Sequence, residues 1–165
     1  MIVVVAGVSG SGKTTVGALL AGRLHWAFID GDSLHSAANV AKMHAGIPLT
    51  DADRRPWLQA IEDSMDQRRA AGVPAVLACS ALHRAYRDEL LAGRPDARMV
   101  FLTVSLAVAT ARLAARHGHF FPAGLLDSQF GELQPPGPDE PVLVVDAGRT
   151  CEELVDEIIG RLQLA

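Results

Sequence analysis

Cysteine is nearly missing from this chain: Cys79 and Cys151 are the two in 165 residues. Two thiols do not build the disulfide framework of a small secreted domain. Cys79 ends an apolar run and Cys151 opens a helical pattern. Neither has a metal-ligating neighbour at a usable spacing, so both are expected to be reduced structural thiols of a cytosolic protein. A surplus of positive charge is missing too. Fifteen Lys and Arg stand against nineteen Asp and Glu, a formal net charge of −4. That argues against general nucleic-acid binding while leaving room for a locally basic cleft. No apolar stretch is long enough to cross a bilayer. Met1 leads straight into Ile2–Ala6, too short for a secretory core and without basic flanks, so the chain is expected to be soluble, cytoplasmic and without a membrane partner. Internal repeats and low-complexity tracts are lacking as well.

What is present is 49% hydrophobic residues, ample for the core of a single domain over 1–165. Apolar runs at Ile2–Ala6, Ala27–Asp30, Ala75–Cys79, Met99–Val104 and Val142–Asp146 lack polar alternation, as strands covered on both faces do. They alternate with helical patterns at Lys13–Leu24, Ser33–His44, Arg54–Ala71, His83–Leu91, Leu106–Arg116 and Cys151–Leu162. The alternation predicts an α/β domain with a mainly parallel sheet. Residues 117–141 fit neither pattern. They hold several glycines and prolines around a short amphipathic piece at Leu125–Leu133, which predicts a mobile lid over a site, with an ordinary surface excursion as the alternative.

Gly7-Val8-Ser9-Gly10-Ser11-Gly12-Lys13-Thr14 satisfies G-x-x-x-x-G-K-[ST] in full, after a strand and before a helix. Gly7, Gly10 and Gly12 let the backbone turn its N–H groups, with those of Ser9 and Ser11, onto phosphate oxygens, and the following helix aims its positive end at the same anion. Lys13 brings a full charge to the outer phosphates. The Thr14 hydroxyl is a hard oxygen ligand for Mg²⁺. ATP and Mg²⁺ are therefore the expected cofactors. The loop leaves the acceptor open, since kinases, switches and motors share it. The chain is short for a motor, and no N-K-x-D guanine signature is apparent.

The second strand ends in Asp30-Gly31-Asp32, and carboxyl ends of parallel strands face the ligand crevice. One carboxylate there can hold and help deprotonate an acceptor hydroxyl, for which Asp32 is the candidate. The other, Asp30, can order Mg²⁺. Helix capping by Asp32 or Ser33 is the competing use. Lys42 and Arg54 would suit an anionic acceptor, or be solvated surface charges. Ser80 lies at the end of the third strand. Arg84 and Arg87, three apart on one helix, could clamp a carboxylate or pair with Asp88 and Glu89. Arg112 and Arg116 are four apart at the base of the lid segment. Arg112 is assigned to the nucleotide side, and Arg116 to the charge that spreads over a transferring phosphoryl group. His117 and His119 lack a third metal ligand and are expected to pack or hydrogen-bond in the lid.

These blocks resemble the bacterial gluconokinase family. The resemblance is carried by the phosphate loop and by Asp30-Gly31-Asp32-Ser33-Leu34-His35, Lys42-Met43, Asp53-Arg54-Arg55-Pro56-Trp57-Leu58, Cys79-Ser80-Ala81-Leu82, Arg116-His117-Gly118-His119-Phe120-Phe121 and Gln129-Phe130. It extends over roughly Val5 to Asp146. It implies a three-layer P-loop kinase fold, with a five-stranded parallel sheet flanked by helices and a lid. It implies ATP-dependent transfer to the 6-hydroxyl of D-gluconate, and a homodimer. Carried onto matching positions, Asp32, His35, Lys42, Arg54, Ser80, Arg84, Arg87 and Gln134 would surround gluconate, with Arg116 arriving from the lid. One departure stands out: Ser36 occupies a position where the family usually has proline. Two alternatives remain. One is a kinase for a related hydroxy acid such as shikimate, although Cys79–Leu82 lacks the glycine triplet expected there. The other is a nucleotide-binding regulatory module without turnover.

Overall fold

The computed structural model describes residues 1–116 and 121–164. Five strands, β1 (Ile2–Ala6), β2 (Ala27–Asp30), β3 (Ala75–Cys79), β4 (Ala97–Thr103) and β5 (Val142–Asp146), form one sheet in the order β2-β3-β1-β4-β5. Every pairing is parallel. The helices are α1 (Lys13–Leu24), α2 (Ala37–His44), α3 (Asp51–Ala70), α4 (Arg84–Leu91), α5 (Leu106–Ala114), α6 (Ala123–Glu132) and α7 (Cys151–Leu162).

β1 is central and wholly buried. Successive side chains point to opposite faces, so one strand feeds two cores. Ile2, Val4 and Ala6 pack with Leu58, Ile61 and Met65 of α3 and Leu90 of α4. Val3 and Val5 pack with Val16 and Leu20 of α1 and with Leu154, Val155 and Ile158 of α7. Each fully buried Leu or Ile stabilises the fold by about 1.5–3 kcal/mol. The result is three layers, with all five strand carboxyl ends on one edge.

The helical stretch expected over Ser33–His44 is divided. Gly31–Leu34 forms a 3-10 turn whose cap, Asp30, accepts a hydrogen bond from the Asp32 N–H. The chain then extends through His35, and Ser36 caps α2 by accepting from the Asn39 N–H at 3.1 Å. The departure from the family pattern thus falls on a position where serine is a good N-cap. α3 starts three residues before the expected Arg54, because Thr50 and Asp53 form a reciprocal capping box. Pro56 consequently lies in the second turn. Its missing N–H leaves the carbonyl of exposed Ala52 to solvent. β4 begins at Ala97, two residues early, in register with Ile2. α5 stops at Ala114, so Arg116 lies just beyond its end rather than in its last turn.

Candidate active site

The phosphate loop runs from the tip of β1 into α1. Gly10 has φ 81°, and a Cβ there would meet the Ala109 carbonyl oxygen at 2.7 Å. Gly12 is the N-cap of α1 at φ 90°, with no side-chain cap and no acidic residue in the first turn. The helix therefore presents unpaired N–H groups and an uncompensated positive end. Lys13 is buried, and its ammonium has one long contact, 3.5 Å to the Val8 carbonyl. A glycine cradle, an uncapped helix start and a weakly engaged ammonium fit a phosphate chain. Ser11 is fully buried; its carbonyl accepts from Arg112 at 3.3 Å, while its hydroxyl has no partner among the described residues.

Three openings meet at this loop. A pocket of about 410 Å³ is lined by Gly10, Gly12, Lys13, Thr14, Asp32 and Arg116, among others. Beside it lies an open cleft of about 840 Å³, whose lining includes Asp32, His35, Arg54, Trp57, Ser80 and Glu132. Ser9, Lys13, Asp32 and Phe121 line both. On the other side of the loop, Arg112, Arg116, Arg149 and Thr150 border a third opening of about 670 Å³. Arg112 also donates to the Ala147 carbonyl at 2.6 Å, tying α5 to the end of β5.

Asp32 stands at the junction of the first two pockets. Its carboxylate makes no hydrogen bond to another described residue, because capping falls to Asp30 and Ser36 instead. In the larger cleft His35 stacks on Trp57, with ring centroids 4.4 Å apart and planes 9° from parallel. Trp57 is itself fixed by donating to the Gly31 carbonyl at 2.8 Å. Burial holds the His35 pKa below its usual value, against the attraction of Asp32 and with help from Arg54. The ring Nδ1 lies 3.3 Å from the Asn39 amide nitrogen, a donor, so that in the neutral form this contact places the ring proton on Nε2. Arg54 pairs with Glu132 at 2.6 Å.

Several expected ligands are not brought to either pocket. Arg87 is buried in a fork-to-fork pair with Glu140, at 2.7 and 2.9 Å, and also donates to the Ala81 and Leu82 carbonyls. It has no surface left for a substrate. Arg84 is exposed and pairs with Asp139 at 2.7 Å and Asp88 at 3.5 Å. Lys42 is held by Asp53 at 2.8 Å. Gln134 accepts from the Arg84 N–H at 2.8 Å, closing the start of α4. Asp30 uses one oxygen on the Asp32 N–H and lies outside the lining of both pockets. The carboxylate clamp expected of Arg84 and Arg87 is therefore replaced by a structural one. Together they strap residues 139–140 to α4.

Of the expected lid, α6 walls the acceptor cleft with Leu125, Ser128, Gln129 and Glu132. His117 and His119 lie outside the described residues. Among the described residues no cluster of three His, Cys, Asp or Glu could hold a metal ion. Sequence reasoning missed the site roles of Gln129, Glu132, Trp57 and Arg149. Gln129 and Trp57 stood within recognised blocks, but which loop or ring they touch depends on tertiary packing. Glu132 and Arg149 carried no local signal.

A parallel sheet with β1 central, a phosphate-binding loop at its tip and an acid facing the same pocket define a P-loop kinase. A family profile described as an AAA domain matches residues 2–136. The chain belongs to the gluconokinase family. It is 48% identical to a gluconokinase of Gluconobacter oxydans (strain 621H), over 97% of this chain and 90% of that protein. A solved gluconokinase from Sinorhizobium meliloti 1021 superimposes with a TM-score of 0.87 at 42% identity, covering 98% of this chain and 90% of the other. An unliganded sugar kinase from Janibacter sp. HTCC2649 gives a TM-score of 0.92 at 43% identity, with 99% and 95% covered.

Proposed function

We propose that this chain is a gluconokinase, transferring the terminal phosphoryl group of ATP to the 6-hydroxyl of D-gluconate to give 6-phospho-D-gluconate and ADP. The observation that carries the reading is the shared wall. Lys13 and Asp32 line both the phosphate pocket and the acceptor cleft, so a phosphate and a hydroxyl bound on either side meet at these two residues. The relatives supply the substrate; the alternatives of a shikimate-type acceptor and a non-catalytic module are not favoured by them.

The acceptor hydroxyl hydrogen-bonds to the Asp32 carboxylate, which takes its proton as the oxygen attacks the γ-phosphorus. The bond from that phosphorus to the β,γ-bridging oxygen breaks, and ADP leaves. Lys13 and the first N–H groups of α1 neutralise the charge on the transferring group. Arg116, at the edge of the phosphate pocket, supports a further charge-stabilising role. Mg²⁺, when bound, would supply charge neutralisation between the phosphates, with Thr14 as the hard oxygen donor in the pocket. Arg112, with Arg149 and Thr150 around the third opening, supports a nucleoside site there. A cytoplasmic homodimer completes the reading. Among the described residues no helix is long and apolar enough to cross a membrane.

The test is ADP release measured against D-gluconate, other sugar acids, shikimate and nucleoside monophosphates. Gluconate is expected to give the highest kcat/KM. Preference for another acceptor would overturn the assignment.

A further inference from the structure

Gln129 of α6 spends its whole amide on the phosphate loop. Its Oε1 accepts from the Ser9 N–H at 2.8 Å, and its Nε2 donates to the Ser9 Oγ at 3.0 Å. The two residues are 120 positions apart, so this contact exists only because α6 lies against the loop. Ser9 belongs to the wall shared by the phosphate pocket and the acceptor cleft. One turn further along α6, Glu132 pairs with Arg54 of α3 across the acceptor cleft at 2.6 Å. Residues three apart on a helix share a face and lie about 4.5 Å apart along its axis. A single rigid helix thus grips the phosphate loop with one residue and the acceptor wall with the next.

We infer that Gln129 is a positioning residue that fixes Ser9 and couples occupancy of the acceptor cleft to the geometry of the phosphate loop. An apolar residue at 129 would leave the Ser9 N–H without this partner. A two-point amide bond instead dictates the orientation of the Ser9 peptide and the rotamer of its hydroxyl at the place where phosphate and acceptor meet. A ligand that displaces or shares the Arg54–Glu132 pair shifts α6, and Gln129 passes that shift to the loop. Acceptor and nucleotide affinities are then coupled, and the coupling must be reciprocal.

The inference rests on the gluconate kinase reading. Calorimetric titration of a non-hydrolysable ATP analogue, with and without saturating gluconate, gives the coupling factor directly. For Gln129→Ala we expect the coupling factor to move to about one and kcat to drop by ~10-fold, as loss of two hydrogen bonds near the reacting groups implies. The affinities for each ligand alone should stay near wild type, while the loss of two part-buried hydrogen bonds lowers the melting temperature by a few degrees. Ser9→Ala keeps the N–H bond and removes the hydroxyl one, so a smaller loss is expected, and the double variant should cost less than the sum of the two. Wild-type coupling and kcat in Gln129→Ala would overturn the inference. So would a fall in all affinities that tracks a fall in melting temperature, which marks a purely structural residue. If Gln129→Ala does not fold, Ser9→Ala alone decides, with unchanged coupling and kcat overturning the proposal. Wild-type protein that fails to use gluconate would instead sink the substrate assignment, and is read from the ADP-release control.

Discussion

Arg87→Ala separates the structural role of that side chain from the binding role its position suggested. The guanidinium and the Glu140 carboxylate are 1% and 2% exposed and meet at 2.7 Å. Two further bonds at 3.1 and 3.0 Å satisfy the Ala81 and Leu82 carbonyls, and the guanidinium lies 5.6 Å over the Phe101 ring. Removing it strands a buried carboxylate and two backbone acceptors. Breaking one side of a buried pair costs about 3–5 kcal/mol. For a domain of this size that corresponds to a drop of roughly 6–20 °C in melting temperature. Scanning calorimetry and urea titration measure it. Because the bond to Arg87 holds the Glu140 carboxyl below its usual range, this stability is present above the ordinary carboxylate pKa. It is lost as pH falls through the lowered one, so wild type and variant should converge at acid pH. Removing both partners, as Arg87→Met with Glu140→Leu, should recover much of the loss. A stable Arg87→Ala whose only change is a raised KM for gluconate would refute the reasoning and restore the substrate-clamp role.

Asp32→Asn should lower kcat by ~10²-fold or more, the range for a positioned general base, with the ATP KM changed little. A loss of ATP affinity with turnover preserved would move Asp32 to the metal site. Arg54→Ala should raise the gluconate KM by ~10–100-fold, since a charged hydrogen bond is lost and Glu132 is left unpaired. An unchanged KM would remove Arg54 from the acceptor site. Burial keeps the His35 pKa below 6.5, so the unfolded chain binds more protons between the two values. Stability should therefore fall as pH drops from above 6.5 toward the lowered pKa and level off below it. His35→Gln should flatten that limb in urea midpoints measured across pH, and an identical profile in the variant would refute it.

The strands and phosphate loop were legible because their signals are local. Ile2–Ala6 and Ala75–Cys79 are unbroken apolar runs, and the loop's glycines are required by backbone geometry at Gly10 and Gly12. Asp32 followed from topology, since it comes after a strand end on the ligand edge. Three of the expected cations lie away from the pockets for the opposite reason. Lys42 is held by Asp53, and Arg84 and Arg87 by Asp139 and Glu140, more than fifty residues away. No helical spacing reveals such partners. The capping of α2 by Ser36 and of α3 by Thr50 moved boundaries by a few residues, later than the periodic pattern for α2 and earlier for α3.

Those distant acids also orient the acceptor. With Lys42, Arg84 and Arg87 neutralised elsewhere, the Lys and Arg side chains among the described residues lining the acceptor cleft are Lys13 and Arg54. Lys13 stands at the phosphate loop, where its charge is committed to the nucleotide. Arg54 stands across the cleft on α3, beside Glu132. On the proposed reading a sugar-acid carboxylate has one arginine partner in the cleft, Arg54, which it must share with or take from Glu132. The opposite end of the molecule then reaches the Asp32 carboxylate. That polarity presents the terminal hydroxyl, rather than one next to the carboxylate, to the γ-phosphate. A chain with a second arginine at the other end of the cleft would lose that discrimination, because an anion could then bind either way round.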